Sequence, residues 1–161
     1  MYEAFGDFWG SHLATIGGSD RPHYYCITTN GTVKTNGLAV MGRGIALQAA
    51  QRFPALPYLL GVSLRHHGNR VVSLGTHLST SRVPYDLIAF PVKHHWDEIG
   101  TLRLIEQSAI ELAAIARWLP DAVFLLPQPG CGSGQLKWAD VQPLITCSLP
   151  NNVYAVNRVL E

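Results

Sequence analysis

A short apolar run followed at once by three glycines most constrains how this chain can fold. The run, residues 122–126, is continuous and closed by prolines, which predicts a buried strand. Gly130, Gly132 and Gly134 follow at alternate positions, and a helical pattern begins near Trp138. A strand, a glycine-rich loop and a helix in this order let backbone N–H groups approach an anion, and the helix N-terminus adds partial positive charge. The stretch therefore predicts a phosphate site, with an ordinary tight turn as the alternative.

A similar loop, residues 36–46, follows an earlier strand and opens a helix. We call residues 36–46 the first glycine loop and residues 129–137 the second. Two such loops could hold a diphosphate from both sides, which one loop alone cannot. The first is not a Rossmann fingerprint, because Leu47 stands where the third glycine belongs. The chain has no Gly-x-x-x-x-Gly-Lys and therefore no P-loop. Ser133 has no glycine two residues to either side, so it is not a nucleophile elbow, Gly-x-Ser-x-Gly. With these motifs excluded, the remaining interpretation is a nucleotide diphosphate bound by backbone amides, without the residues that bind a metal–triphosphate complex.

Strand and helix patterns alternate along the chain. This predicts a single α/β domain over residues 1–161, a three-layer α/β/α sandwich with a mixed, mostly parallel sheet. Ligands of such sheets bind at the carboxyl ends of the strands, where both glycine loops lie. The predicted strands are 2–5, 24–29, 70–74, 87–90, 122–126 and 153–156, and the predicted helices are 42–53, 57–64, 101–118 and 138–147. The apolar stripe of the longest helix is Leu102, Ile105, Ala109, Leu112 and Ala116.

Composition narrows the classes of partner and compartment. Charged residues make up only 14% of the chain and the net charge is +1, so there is no general electrostatic attraction to nucleic acid or membrane, although a local patch could supply one. Cys26, Cys131 and Cys147 are an odd number without metal-type spacing, which favours a reducing compartment. The N-terminus has no signal-peptide pattern, and no apolar run is long enough to span a bilayer. We expect a cytoplasmic monomer with no membrane partner.

Four motifs stand in a fixed order along the chain: Gly6-Asp7-Phe8, Asn36 with 41–46, residues 90–96, and residues 129–138. Together they resemble the motifs of the macrodomains, a family that binds ADP-ribose. The resemblance implies that Asp7 receives the adenine amino group and that the two glycine loops hold the ligand. We expect no cofactor, and no metal site, because the pair His94 and His95 has no third metal ligand. The ADP-ribose-binding residues that the resemblance implies are Asp7, Phe8, Asn30, Met41, Gly42, Gly44, Ile45, Ala46, Gly130, Cys131, Gly132, Ser133, Gly134 and Gln135.

Lys93 stands at the position of a lysine carried by one branch of that family. The branch includes hydrolases that remove terminal ADP-ribose from acidic side chains of proteins, and antitoxin enzymes that strip it from DNA bases. Gly134 stands where the protein-directed enzymes carry an aspartate and the DNA-directed enzymes a glycine, so this chain is more similar to the second group. The resemblance implies an ADP-ribosyl glycohydrolase with Lys93 and Asn36 as catalytic residues. Extra residues between Asn30 and Asn36 leave open which asparagine meets the distal ribose.

The chemistry of Lys93 has a physical basis and a plain alternative. An amine near the anomeric carbon can attack the ring-opened aldehyde or orient the leaving group. Partial burial and neighbouring histidines would lower its pKa. The alternative is that Lys93 is a surface cation at a strand end, and the chain would then be a non-catalytic reader of ADP-ribose. A third possible function is a phosphatase acting on ADP-ribose 1″-phosphate, but the sequence offers no distinct nucleophile for it. We expect His94, His95 and Trp96 at the rim of the site, and Cys131 as a packing residue.

Overall fold

The computed structural model describes residues 1–158 and confirms the three-layer α/β/α architecture. Within these residues six strands form one sheet, and helices cover both of its faces. In chain order the elements are β1 (Tyr2–Phe5), α1 (Ser11–Ala14), β2 (His23–Asn30), α2 (Gly44–Arg52), α3 (Leu56–His67), β3 (Val72–Leu78), β4 (Pro84–Lys93), α4 (Leu102–Trp118), β5 (Val123–Pro127), α5 (Trp138–Thr146) and β6 (Val153–Asn157).

The order of the strands brings the two glycine loops together. The sheet runs β1-β6-β5-β2-β4-β3, and each neighbouring pair is parallel except β3 with β4. The sheet is therefore mixed and mostly parallel, as predicted, and β1 lies at one edge. The central strands β5, β2 and β4 are parallel neighbours, so their carboxyl ends share one edge of the sheet. The loops that follow β2 and β5 are the ones that carry the predicted phosphate-binding glycines.

Apolar side chains form a core on each face of the sheet. Alternation along β2 sends Tyr25 and Ile27 to the face covered by α2 and α3, and Cys26 to the face covered by α4 and α5. On α4 the predicted stripe is fully buried except at its first member, because Leu102 begins the helix and is 38% exposed. None of the helices in residues 1–158 is both long and apolar enough to cross a membrane.

The strand that carries the candidate lysine is longer than its sequence pattern indicated. We predicted 87–90, but β4 extends from Pro84 to Lys93 and pairs with β3 as an antiparallel hairpin. Proline cannot donate to a ladder, yet Pro91 lies within β4 and pairs with Thr29 of β2. It lies beyond Ala89, the last residue of β4 that pairs with β3, so no strand needs its N–H on that side. The four-residue helix α1 was also missed, because one turn is too short to show helical periodicity.

Candidate functional site

A cavity of about 600 Å³ opens at the carboxyl ends of β2, β4 and β5. Its size is typical of pockets for small molecules. Both glycine loops line it, together with residues of the three strands, as the sequence predicted for this edge of the sheet. The lining residues are Thr28, Thr29, Asn30, Thr32, Lys34, Val40, Gly42, Arg43, Gly44, Ile45, Ala46, Val92, Lys93, Trp96, Pro127, Gln128, Gly130, Gly132, Ser133 and Gly134.

The first glycine loop is held from below by the side chain of Asn30, the last residue of β2. Asn30 Nδ2 donates to the carbonyl of Val40 at 2.9 Å, and Asn30 Oδ1 accepts from the Thr32 N–H at 3.0 Å. The loop is also fixed from the side, because the Ala39 N–H donates to the carbonyl of Pro57 in α3 at 2.9 Å. One half-buried side-chain amide and one helix therefore set the position of the loop before α2 begins.

The second glycine loop is held by its own backbone. The Leu136 N–H donates to the Gly130 carbonyl at 2.8 Å, and the Gly100 N–H donates to the Gly134 carbonyl at 2.8 Å. This fold leaves no room for side chains at two of its glycines. A Cβ on Gly134 would lie 2.4 Å from the Gly130 carbonyl oxygen, and Gly130 itself has a φ of +74°. An acidic side chain at position 134 would therefore require the loop backbone to move.

Two other glycines have no such steric reason to be glycine. A Cβ on Gly42 or on Gly132 would meet no atom within 4 Å, and neither residue has a positive φ. Both line the cavity, one in each loop. The loops also approach each other closely, since a Cβ on Gly44 would lie 3.2 Å from Ser133 Oγ. The bare backbone at these positions faces space that a ligand can fill, which is the arrangement expected of an anion cradle.

Lys93 ends β4 beside Asn30 of β2 and is only 7% exposed. Its Nζ donates to the Ser133 carbonyl at 3.2 Å and to the Trp96 carbonyl at 3.4 Å. An ammonium group has three N–H donors, so one is left for a ligand. The lysine thus ties the second glycine loop to the end of β4 and keeps one donor available in the cavity.

Burial lowers the pKa of the Lys93 ammonium below its ordinary value, and the positive charge of Arg43 lowers it further. Asp97 and Glu98 act in the opposite direction and favour the charged form. The direction of the shift is the one predicted, but the charged neighbour that contributes to it is an arginine rather than the histidines that follow Lys93. Arg43 lies 50 positions away in the sequence, so no local pattern linked the two.

Ten of the predicted site residues line the cavity, and they come from both loops and two strand ends: Asn30, Gly42, Gly44, Ile45, Ala46, Lys93, Gly130, Gly132, Ser133 and Gly134. The remaining six lie outside its lining: Asp7, Phe8, Asn36, Met41, Cys131 and Gln135. Asn36, one of the two predicted catalytic residues, is exposed, and its Oδ1 accepts from the Leu38 N–H at 3.1 Å. Of the two asparagines left open by the sequence, Asn30 is the one beside Lys93.

Gln135 is exposed, and the other four residues outside the lining have contacts or properties that the fold explains. Phe8 and Met41 belong to the core on the α2 face. Asp7 is exposed after β1, and its Oδ1 accepts from the Trp9 N–H at 3.2 Å. Burial raises the pKa of the Cys131 thiol to about 11, so this sulfur is protonated at neutral pH and is a poor nucleophile. The predicted ligand contact of each of these residues stays a prediction.

Sequence inspection missed several polar residues of the lining, including Thr29, Lys34, Arg43 and Gln128. Their signal was their position at or just after the ends of the same strands. Arg43 lies within the motif 41–46, but it was not chosen as a site residue. At the rim, Trp96 lines the cavity as expected, whereas His94 and His95 do not. His95 is paired instead with Asp97. Among residues 1–158 no three His, Cys, Asp or Glu side chains are grouped so that they could hold a metal ion.

No protein-family model matches the chain. It is 32% identical over 109 residues to proteins named DNA ADP-ribosyl glycohydrolase from Mycobacterium tuberculosis and Mycobacterium bovis, which covers 66% of this chain and 31% of those proteins. It is 30% identical over 114 residues to the protein of that name from Thermus aquaticus, covering 68% of this chain and 31% of the relative. The chain thus spans about a third of the length of the curated relatives that it matches.

Solved structures show the same architecture. The macrodomain of Mycobacterium tuberculosis DarG superimposes with a TM-score of 0.69 at 24% identity, covering 99% of each chain. The macrodomain of Thermus aquaticus DarG gives a TM-score of 0.68 at 24% identity, covering 100% of this chain and 99% of that one. Thermosipho africanus DarTG, solved in complex with ADP-ribose, gives 0.65 at 21% identity over 88% of this chain and 39% of that chain. With its sheet order, its two glycine loops and these likenesses, the chain is a macrodomain similar to those of the DarG proteins.

Proposed function

We propose that this macrodomain is an ADP-ribosyl glycohydrolase that binds ADP-ribose with the diphosphate between the two glycine loops. The observation that carries the proposal is the bare backbone at Gly42 and Gly132, beside a buried lysine. Backbone N–H groups with no side chain in front of them suit the oxygens of a diphosphate. The curated relatives are named as DNA ADP-ribosyl glycohydrolases, and one solved neighbour holds ADP-ribose, which supports the same ligand here.

Lys93 is the residue that we propose to act on the distal ribose. In the hydrolysis, the oxygen of water bonds to the anomeric carbon, the bond from that carbon to the acceptor breaks, and the acceptor leaves with a proton. The charged amine has one N–H left for the reacting groups, since the other two are held by Ser133 and Trp96. The neutral amine keeps its two N–H groups on those carbonyls and has a free lone pair. As a nucleophile it bonds to the anomeric carbon while the bond to the acceptor breaks and the acceptor leaves with a proton from the amine; water then bonds to that carbon, and the amine leaves with a proton from the water. The lowered pKa increases the neutral fraction.

We propose that the acceptor is DNA rather than protein. The names of the curated relatives support this, and so do three side chains that line the cavity. Trp96 is 44% exposed, and an exposed aromatic ring is a surface on which a base can stack. Lys34 and Arg43 are exposed cations that can contact phosphates of the strand. They form the local positive patch that a net charge of only +1 does not preclude.

Release of free ADP-ribose tests the proposal when modified DNA and protein modified on acidic side chains are offered side by side. We expect release from DNA and little from protein. Trp96→Ala should slow release from DNA, whereas Trp118→Ala is the matched control, because Trp118 is 85% exposed and does not line the cavity. Turnover of protein alone would contradict a DNA acceptor. Equal effects of the two tryptophan substitutions would contradict stacking on Trp96.

A non-catalytic reader of ADP-ribose is the second candidate, and one observation favours it. Both bonds of Lys93 Nζ go to backbone carbonyls, so the lysine could serve only to hold the second glycine loop against β4. In that case the chain would bind ADP-ribose tightly and would release it from neither DNA nor protein. The same paired assay therefore separates the reader from the hydrolase.

We further propose that the chain acts as a monomer in the cytoplasm. Support for a reducing compartment comes from the three cysteines, which are all free thiols. Sedimentation at a range of concentrations tests the first point, and localisation of the tagged protein tests the second.

A further inference from the structure

Thr29 carries a buried hydroxyl group that the folded chain leaves without a partner. Thr29 is 4% exposed, and its Oγ1 makes no hydrogen bond to any part of the chain that the structure describes. Removing a hydroxyl from water without a compensating hydrogen bond destabilises a fold. Ser108 shows the usual solution, since it is 2% exposed and its Oγ donates to the Pro91 carbonyl at 2.7 Å. Thr29 differs from Ser108 in lining the cavity.

The position of Thr29 indicates which part of a ligand its hydroxyl would meet. Alternation along β2 puts Thr29 on the same face as Ile27 and Tyr25, which pack in the core beside α2. Helix α2 begins at Gly44, which lines the same cavity as Thr29. The N-cap residue of this helix, Arg43, makes no side-chain capping bond. The first N–H groups of a helix attract anions, and a hydroxyl can donate to an anion at the same place.

We infer that Thr29 is a ligand-binding residue whose Oγ donates a hydrogen bond to a phosphate oxygen of a nucleoside diphosphate held at the start of α2. The inference rests on the proposed function and adds to it a residue that neither the motifs nor the comparisons single out. The hydroxyl is unsatisfied in the free protein and satisfied in the complex, so it contributes to affinity and not to stability. Removing the oxygen should therefore weaken ligand binding without lowering the stability of the ligand-free protein.

Thr29→Val removes the hydroxyl and nearly preserves the shape of the side chain, so it is the informative variant. We expect calorimetry to show affinity for ADP and for ADP-ribose falling equally, by about tenfold or more, because a hydrogen bond to a charged group is lost. The melting temperature of the ligand-free variant should equal or exceed that of the parent, since an unsatisfied buried group has been removed. Thr29→Ser keeps the oxygen and should retain near-parental affinity.

Ser63→Ala is the matched control, because Ser63 Oγ is also buried without a partner but lies outside this cavity. It should change the affinity for neither ligand. Parental affinity in Thr29→Val overturns the inference, and so does a loss for ADP-ribose alone, which would assign the hydroxyl to the distal ribose. A parent that binds but does not turn over ADP-ribosylated substrates fails as a hydrolase and leaves this test intact. A parent that binds neither ADP nor ADP-ribose overturns both proposals.

Discussion

The two glycine loops line one cavity but are held in shape by different means. The first depends on a side chain, since Asn30 donates to Val40 within it and accepts from Thr32 just before it, and on its contact with α3. The second depends on its own backbone and on the absence of side chains at Gly130 and Gly134. Glycine therefore has two separate meanings in this site. At Gly134 it is required by the fold, whereas at Gly132 the fold would accept a methyl group and only a ligand explains the glycine.

Substitution of Lys93, which links the second loop to β4, should have the largest effect on turnover. Lys93→Ala should lower turnover by about a hundredfold or more, the range for loss of a group that acts on protons or as a nucleophile. Affinity for ADP-ribose should change little if the amine acts mainly in the transition state. Lys93→Arg should also be inactive, because arginine keeps the charge but cannot lose its proton. Parental turnover in the arginine variant would show that positive charge alone is sufficient.

Gly132→Glu should have the next largest effect, and we expect it to lower ligand affinity rather than the stability of the fold. The substitution brings a negative charge to the bare backbone that we assign to the diphosphate. We expect a loss of about 3 kcal/mol in ADP-ribose affinity, because the carboxylate would be placed next to phosphate oxygens of the same charge. Calorimetry measures it, with a denaturation curve to verify folding. Unchanged affinity in a folded variant would remove Gly132 from the site.

Alanine at Gly134 and at Gly132 compares the two meanings of glycine directly. Gly134→Ala should reduce the free energy of unfolding by about 1–3 kcal/mol, because the new Cβ would overlap the Gly130 carbonyl. Gly132→Ala should change it by less than about 0.5 kcal/mol, because its Cβ would meet nothing. Urea denaturation measures both. Equal losses would show that the whole loop, and not one close approach, excludes side chains.

Asn30→Ala and Asn36→Ala test the support of the first loop. Asn30 makes two hydrogen bonds in a half-buried position, so its removal should cost about 2 kcal/mol of unfolding free energy and weaken ADP-ribose binding. Asn36 makes one bond in an exposed position and should cost less than about 1 kcal/mol. Denaturation and calorimetry on the two variants give the comparison. A larger loss of turnover in Asn36→Ala would restore Asn36 as the asparagine that meets the distal ribose.

The smallest expected effect is a shift in pH dependence. If the neutral amine of Lys93 reacts, kcat should rise with pH, reach half its maximum at the pKa of Lys93, which is below the ordinary value for lysine, and level off above it. Arg43→Gln removes a positive charge that disfavours the ammonium, so the pKa should rise and the profile should move to higher pH. Stopped assays across the alkaline range measure the midpoint. A shift to lower pH would contradict the role of Arg43.

The sequence by itself determined the architecture and most of the site, because those properties depend on local patterns. Periodicity predicted the strands and the longest helices, and the glycine spacing predicted where the cavity would form. Resemblance added Lys93, and its position at a strand end proved compatible with a place in the cavity. Ten of the site residues that the resemblance implied lie in the lining.

Only the tertiary structure decided which neighbours act on those residues, because such contacts join segments that are far apart in the chain. It brought Arg43 near enough to influence Lys93, and it put Asn30 rather than Asn36 beside that lysine. It showed that Gly132 and Gly134, which belong to the same alternating glycine pattern, differ: a Cβ would fit at Gly132 and would clash at Gly134. It also left the hydroxyl of Thr29 buried and unpaired. Burial, close approach and electrostatic influence are properties of three-dimensional distance, and spacing along the chain does not encode them.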